Sequence, residues 1–319
     1  MRVLVTGANG LVGMAVLRRL GRESGLQAIA GVRVLTAGNV DCEQRALGDL
    51  AKGPVGAELL SGIDVVVHVA ARVHVMQERA QDPLAAFRAV NVEGTRALLE
   101  ASAQAGVRRF VLVSSIKVNG EANAPGRPFS EADEASPQDA YACSKWEAEQ
   151  LVQAFCGQHG MEWVVVRPPL VYGPGVRANF RRMLQALARG LPLPLGGLHN
   201  KRSLVALENL ADFLVCCSSH PLAANQRFLV SDGQDLSVTE LSRKLAAALD
   251  SRSWLVPVPR AWLSAALHLL GRGAAAQRLC GELRVNSSKA CSLLNWQAPQ
   301  GVDDALADTV RDFVRECSR

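Results

Sequence analysis

Tyr141 and Lys145, in the stretch YACSK, stand four residues apart. On a helix that spacing puts both side chains on one face, a turn from each other. Upstream, RRFVLVSS (108–115) reads as a buried strand ending in two hydroxyls, and a strand end is where an α/β fold carries its chemistry. A phenol, an ammonium and the hydroxyl of Ser115 brought together form a proton-transfer device. The ammonium favours phenolate over phenol, so a group of ordinary pKa about 10 is expected to move toward neutrality. Ser115 is placed to hold a substrate carbonyl. Such a set suits reduction of a ketone, or oxidation of an alcohol, beside a nicotinamide. Taken alone, YxxxK is also common on exposed helices, as a half-buried tyrosine beside a solvated lysine. A second motif at the N-terminus weighs against that plainer reading.

Residues 2–6, RVLVT, form a short β-branched run that breaks at Gly7. TGANGLVG follows, with Gly7, Gly10 and Gly13, and leads into the helical pattern LVGMAVLRRL. Glycines between a strand and a helix permit a tight turn and close approach to a pyrophosphate, while the helix start supplies free N–H groups. A glycine trio by itself also serves tight helix packing. Between a strand and a helix at the head of an α/β chain, it is read as a dinucleotide site. The second strand is expected over 27–34, QAIAGVRV. Its end carries Arg33 where an NAD-specific site has Asp or Glu for the ribose hydroxyls. A guanidinium there can pair with a 2′-phosphate, which favours NADPH over NADH. A solvated strand-end arginine is the alternative. Further on, GDL places Asp49 where it meets the adenine.

These residues need elements to position them. DVVVHVAA (64–71) is the next buried strand, and its small residues Ala70 and Ala71 admit a cofactor. His68, inside that apolar run, reads as a packed core histidine. One long helix is expected from Pro83 through Ala105, carrying Asn91. The RRFVLVSS strand, an exposed loop, the Tyr141 helix to about Gln158 and a strand over 161–169 follow. This alternation predicts an α/β fold, a doubly wound parallel sheet covered on both faces, over residues 1–169. Beyond Pro169 the pattern becomes mostly helical. Residues 170–319 are expected to form a smaller substrate lobe over the sheet's carboxyl edge, with about 203–220 returning to the first domain. The apolar stretch 257–273 has flanking arginines and reads either as a membrane-surface helix or as one packed on its own lobe. The packed reading is preferred.

The 319 residues, 49% hydrophobic and 20% charged, suffice for a large core and argue against disorder. Net charge is +5 without any Lys/Arg run interleaved with aromatics, so nucleic acid is not an expected partner. The eight cysteines form no CxxC, and neither a metal site nor a redox pair is expected. The chain opens in an apolar strand without a secretion signal and contains no apolar run of transmembrane length. A cytoplasmic location with reduced thiols follows as an expectation.

Across essentially its whole length the chain resembles the extended short-chain dehydrogenase/reductase family, in its nucleotide-sugar branch. TGANGLVG looks like that family's cofactor turn, HVAA like its small-residue strand end, VSSIKVNG like its serine strand and YACSK like its YxxxK. RPPLVYGPG and RSLVALENLAD look like the nucleotide-sugar branch. The resemblance implies a Rossmann-like domain, a smaller C-terminal lobe and a homodimer built through the helices at about 83–105 and 138–158. Carried over, Ser115, Tyr141 and Lys145 are catalytic. The cofactor is implied to contact Gly7, Asn9, Gly10, Leu11, Val12, Gly13, Arg33, Asp49, Leu50, Ala70, Ala71, Asn91, Tyr141, Lys145 and Pro168. Substrate is implied at Ser115, Asn179 and Arg202, a guanidinium fork being suited to a diphosphate.

Within that branch the segments KVNGE, ANF and LPLPLG are similar to bacterial reductases of 4-keto-6-deoxy-N-acetylhexosamine sugars, which make UDP-N-acetylquinovosamine for O-antigen synthesis. Dehydratases of the branch carry an Asp-Glu pair just after the catalytic hydroxyl. Here those positions are Ile116 and Lys117, so no dehydration is expected. Three functions remain: an NADPH-dependent 4-ketoreductase, a UDP-hexosamine or UDP-hexose 4-epimerase with tightly held NAD, and a non-catalytic dinucleotide sensor. Arg33 favours the first over the second, and the complete trio disfavours the third.

Overall fold

The computed structural model describes residues 1–36, 42–73, 82–124 and 126–318. Its first strand, in the interior of the sheet, is β1 (Arg2–Thr6), buried over its last four residues. Apolar, β-branched side chains on both faces suit a strand covered from both sides. α1 (Leu11–Leu20) returns the chain to β2 (Gln27–Val32), which pairs in parallel with β1, and β3 (Glu43–Ala46) adds the edge. β4 (Val65–His68) pairs with the other side of β1. α2 (Pro83–Arg88), a π turn at 89–93 and α3 (Gly94–Gln104) lead to β5 (Arg109–Val113). α4 (Ala140–His159) then leads to β6 (Glu162–Arg167). After β7 (Leu170–Tyr172), α5 (Ala178–Ala188), β8 (Lys201–Arg202), β9 (Leu204–Ala206) and α6 (Leu207–Ser219), β10 (Gln226–Leu229) completes the sheet.

The order is β10-β6-β5-β4-β1-β2-β3, all pairs parallel. Winding reverses between β1 and β4, and the crevice at the carboxyl ends of these two strands is where such sheets take ligands. On one face Val16 and Leu20 of α1 pack with Leu210 and Phe213 of α6; on the other, Leu98 and Leu99 of α3 pack with Val152 and Cys156 of α4. Both layers rest on buried strand side chains, so the doubly wound α/β reading holds.

The remaining chain comprises β11 (Leu236–Ser237), α7 (Val238–Ala248), α8 (Arg260–Leu269), α9 (Gly273–Cys280), α10 (Ser288–Leu294) and α11 (Val302–Cys317). α5, α7 and α11 share a core of their own around Leu184, Leu245 and Val310. β10 and α10 lie instead with the main sheet, where Phe228, Ala290 and Leu294 join the α1–α6 layer. Among the described residues no helix is long and apolar enough to cross a membrane, and no cluster of His, Cys, Asp or Glu could hold a metal ion.

Two expectations are corrected, and one strand was not foreseen. β3, EQRA, lacks an apolar run because it is a short edge strand, which is why its sequence does not announce it. The helix expected over 83–105 is interrupted by the π turn that carries Asn91. The packed reading of 257–273 fails for most of α8: none of its residues is buried, and only the Leu263 side joins a small cluster with Leu198, Val238 and Cys280.

Candidate active site

The turn after β1 is built from absences of side chain. Gly7 adopts φ +66°, and a Cβ there would stand 2.8 Å from the Ala70 amide nitrogen, so β1 and the residues beyond β4 meet only because this position is glycine. A Cβ on Gly13 would collide with the Gly7 carbonyl oxygen. Gly10, the N-cap of α1, donates its N–H to that same oxygen at 2.8 Å and has no side chain to cap the helix. The first-turn amides of Leu11, Val12 and Gly13 are thus available to an anion, with the positive end of the helix behind them. Asn9 is exposed beside them. A side-chain-free cradle with free amides fits the pyrophosphate of a dinucleotide.

At the adenosine end Arg33 is exposed, one residue beyond β2. Asp49 accepts a hydrogen bond from the Ala51 amide at 3.2 Å. Leu50 closes on Gly94, where an added Cβ would stand 3.0 Å from the Leu50 Cβ. Ala70 and Ala71 are half-buried at the crevice. Pro168 is buried after β6, and its carbonyl accepts from the Ile116 amide at 3.0 Å, fixing the turn that follows Ser115.

Helix α4 begins at Asp139, whose side chain accepts from the Ala142 amide at 2.7 Å. Tyr141 lies in its first turn, Lys145 one turn on and Glu149 one turn further, a single row facing the end of β5. Ser114 and Ser115 leave that strand in opposite directions, as successive residues must. Ser114 donates to Glu149, while Ser115 hydrogen-bonds the Tyr141 phenol. Lys145 is buried and donates to the Val113 carbonyl at 2.8 Å. Burial pulls its pKa to about 8, against the raising influence of Glu149. The trio named from sequence therefore lies at one strand end.

The expected direction of the Tyr141 shift is overturned. Burial pushes the phenol up to about 12, the hydrogen bond from Ser115 pulling it down and the charge of Asp139 adding to the rise. Desolvation outweighs the ammonium one turn away, whose nearest commitments are Val113 and Glu149. Tyr141 rests as an acid.

Under this row lies a buried polar frame. Arg167 donates to both oxygens of Glu149, at 2.8 and 2.6 Å, and to Asn119 Oδ1 at 2.9 Å. Trp146 has the guanidinium carbons of Arg167 and Arg227 each 5.7 Å from its ring centre. His68 bridges Thr6 at 2.7 Å and Thr95 at 3.0 Å, and burial, with the charge of Lys145 adding to it, holds its pKa at about 3. It is a neutral core group, as read from its apolar surroundings. Asn91 is spent on the protein: it bonds Arg72 N and O and donates to Ser144 Oγ at 2.9 Å, tying the π turn to α4.

Two features went unseen in the sequence. Lys117 Nζ bridges Glu121 and Asp139, each at 2.6 Å, so it clamps the turn after Ser115 to the cap of α4. In the second lobe Arg202 is half-buried and donates to the Gly281 carbonyl at 2.9 Å; burial lowers its pKa, with Glu121 raising and Arg278 lowering it. The charge of Arg278 thus reaches Arg202, and a second cation in that neighbourhood suits an anionic group. Nothing in its spacing announces Arg278. Asn179 stands exposed on the first turn of α5, away from the trio's contacts.

Residues 3–230 match the NAD dependent epimerase/dehydratase family. The chain is 40% identical over 318 residues to a UDP-glucose 4-epimerase of Vibrio cholerae, covering 99% of this chain and 97% of that protein. Its fold is similar to that of UDP-glucuronic acid 4-epimerase from Bacillus cereus in complex with NAD, with TM-score 0.80, 18% identity and 99% of both chains covered. It is also similar to RMD from Pseudomonas aeruginosa complexed with NADPH, with TM-score 0.75, 21% identity, and 98% and 99% of the two chains covered.

Proposed function

The chain belongs to the NAD dependent epimerase/dehydratase family, and within it we propose that the protein uses NADPH to reduce the C4 ketone of a UDP-4-keto-6-deoxy-N-acetylhexosamine. The product is UDP-N-acetylquinovosamine or its C4 epimer, for O-antigen or lipopolysaccharide sugars. A nucleotide-sugar enzyme with a nicotinamide dinucleotide is the broader assignment, supported by the relatives above. The observation that carries the finer one is Arg33, exposed at the end of β2 with no carboxylate in residues 33–36. The resting acid at Tyr141 supports the same direction of reaction.

A dinucleotide held by the glycine cradle would supply the hydride. Ser115 and Tyr141 hydrogen-bond the C4 oxygen and fix the ketone. As the C4–H bond forms, Tyr141 gives its phenolic proton to that oxygen and a C4 hydroxyl results. Lys145, anchored on the Val113 carbonyl, offsets the phenolate charge until a solvent proton restores the phenol. Lys117, paired with two carboxylates where dehydratases place an acid, supplies no base for dehydration. Arg202 and Arg278 neutralise the diphosphate, and residues 170–319, apart from the segments that return to the sheet, act as the substrate lobe. A homodimer through the 83–105 segment, α2 to α3, and α4, and a cytoplasmic location, complete the proposal.

The relative from Vibrio cholerae favours a second reading, a UDP-hexose or UDP-N-acetylhexosamine 4-epimerase holding NAD. Two measurements separate these readings. Purified protein is mixed with NADPH and the 4-ketosugar, and nicotinamide absorbance is followed. Stoichiometric oxidation, lost in Tyr141→Phe, supports the reductase, and NMR of the product gives the C4 configuration. Stoichiometric NAD released on denaturation, with UDP-hexose interconverted without added cofactor, supports the epimerase.

A further inference from the structure

We propose that α8 is a membrane-docking surface that seats the second lobe on an anionic bilayer. Trp262, Ala265, Ala266 and Leu269 recur at three and four residues and share one face of the helix, with Leu270 beside them. That face is turned to solvent: Trp262 is 73% exposed, Leu269 89% and Leu270 72%. The other side holds the helix to the protein through Leu263 and through packing on α9. A contiguous apolar face kept in water marks an interaction surface.

Charge identifies the occupant. From Ser251 to Gly281 the chain carries Arg252, Arg260, Arg272 and Arg278 and no Asp or Glu, although the whole chain has 30 of these acids. Arg260 opens α8 and Arg272 follows its end, and both are exposed. A helix with indole and leucine on its outer face and cations at its ends lies in the headgroup plane. The apolar side chains enter the acyl boundary and the guanidiniums pair with lipid phosphates. Trp254, in the same carboxylate-free segment, is 68% exposed. A second copy packed on this face would oppose arginines to arginines with no acid in the segment to pair them. The docking holds whichever reaction the trio performs.

The test spins full-length protein with vesicles of phosphatidylcholine, alone or mixed with phosphatidylglycerol. The protein is expected to pellet with the mixed vesicles only, to come off in high salt and to show blue-shifted tryptophan emission on binding. Trp262→Ser with Leu269→Gln lowers the bound fraction roughly fivefold or more, as removal of the inserted face requires. Arg260→Gln with Arg272→Gln weakens binding and flattens its salt dependence. Both variants alter exposed side chains, so they keep the wild-type melting temperature and dinucleotide affinity. Failure of the wild-type protein to pellet with anionic vesicles overturns the proposal, as does undiminished pelleting of the Trp262→Ser, Leu269→Gln variant. Light scattering that finds a self-association lost in that variant, without vesicle binding, assigns the face to a second copy instead.

Discussion

Lys117 Nζ stands 2.6 Å from Asp139 Oδ2, and Asp139 caps the helix that carries Tyr141 two residues later. The carboxylate charge raises the phenol's pKa, so the ammonium that neutralises it acts on proton donation without touching the phenol. In Lys117→Met the negative charge is left less compensated and Tyr141 becomes a weaker acid. The alkaline limb of the kcat profile moves to higher pH, and kcat falls by roughly tenfold, equivalent to about 1.4 kcal/mol of barrier. Lys117→Arg restores both. An unmoved pH profile would reduce Lys117 to a surface ion pair.

The chain has two tyrosines, Tyr141 and Tyr172, and burial raises both. Near-ultraviolet titration of the unliganded protein should therefore show almost no phenolate at about pH 10, where a free phenol is half ionised. In Tyr172→Phe the remaining signal belongs to Tyr141 and rises toward about pH 12. The sign for stability follows: the native state favours the protonated phenol. That preference is fully present below about pH 10 and is lost as pH climbs through about 12. A Tyr141 signal complete below about pH 10 would reinstate the depressed pKa expected from sequence.

Gly13→Ala should separate cofactor binding from folding of the rest. Its methyl meets the Gly7 carbonyl, which must move out of the cradle. Dinucleotide affinity measured by fluorescence falls by more than about tenfold, and unfolding free energy drops by roughly 1–3 kcal/mol as for other overpacked sites. Near-native affinity would mean that the turn does not hold the pyrophosphate.

Glu149 and Arg167 are both fully buried and bonded through two contacts. Glu149→Gln leaves a buried guanidinium without its counter-charge, and urea unfolding should report a loss of about 3–5 kcal/mol. Glu149→Leu combined with Arg167→Met should lose less than the sum of the two single changes. Strict additivity in that cycle would argue that the pair does not act as a unit.

The parts of the site that depend on local pattern were legible in the chain. Tyr141 and Lys145 share a helix face by spacing alone, and Gly7, Gly10 and Gly13 sit where a strand must turn into a helix. The parallel sheet followed from buried runs such as VVVH and RFVLV. What stayed hidden depends on contacts between distant segments. The Lys117–Asp139 clamp spans 22 positions, and β3 joins the sheet by backbone pairing rather than by hydrophobicity. The Tyr141 pKa is hidden from the sequence for a related reason: a neighbour one turn away is visible there, but desolvation is set by the whole surrounding fold.

The row formed by Tyr141, Lys145 and Glu149 also sets what the gene can tolerate. Each residue of an α-helix advances the direction of its side chain by about 100°, so one inserted or deleted residue between positions 141 and 149 rotates part of the row away from the strand end. Such a change would detach either the acid or its buried anchor. The two-turn span therefore has a fixed length for mechanical reasons, whereas the connections on either side of it carry no such phase.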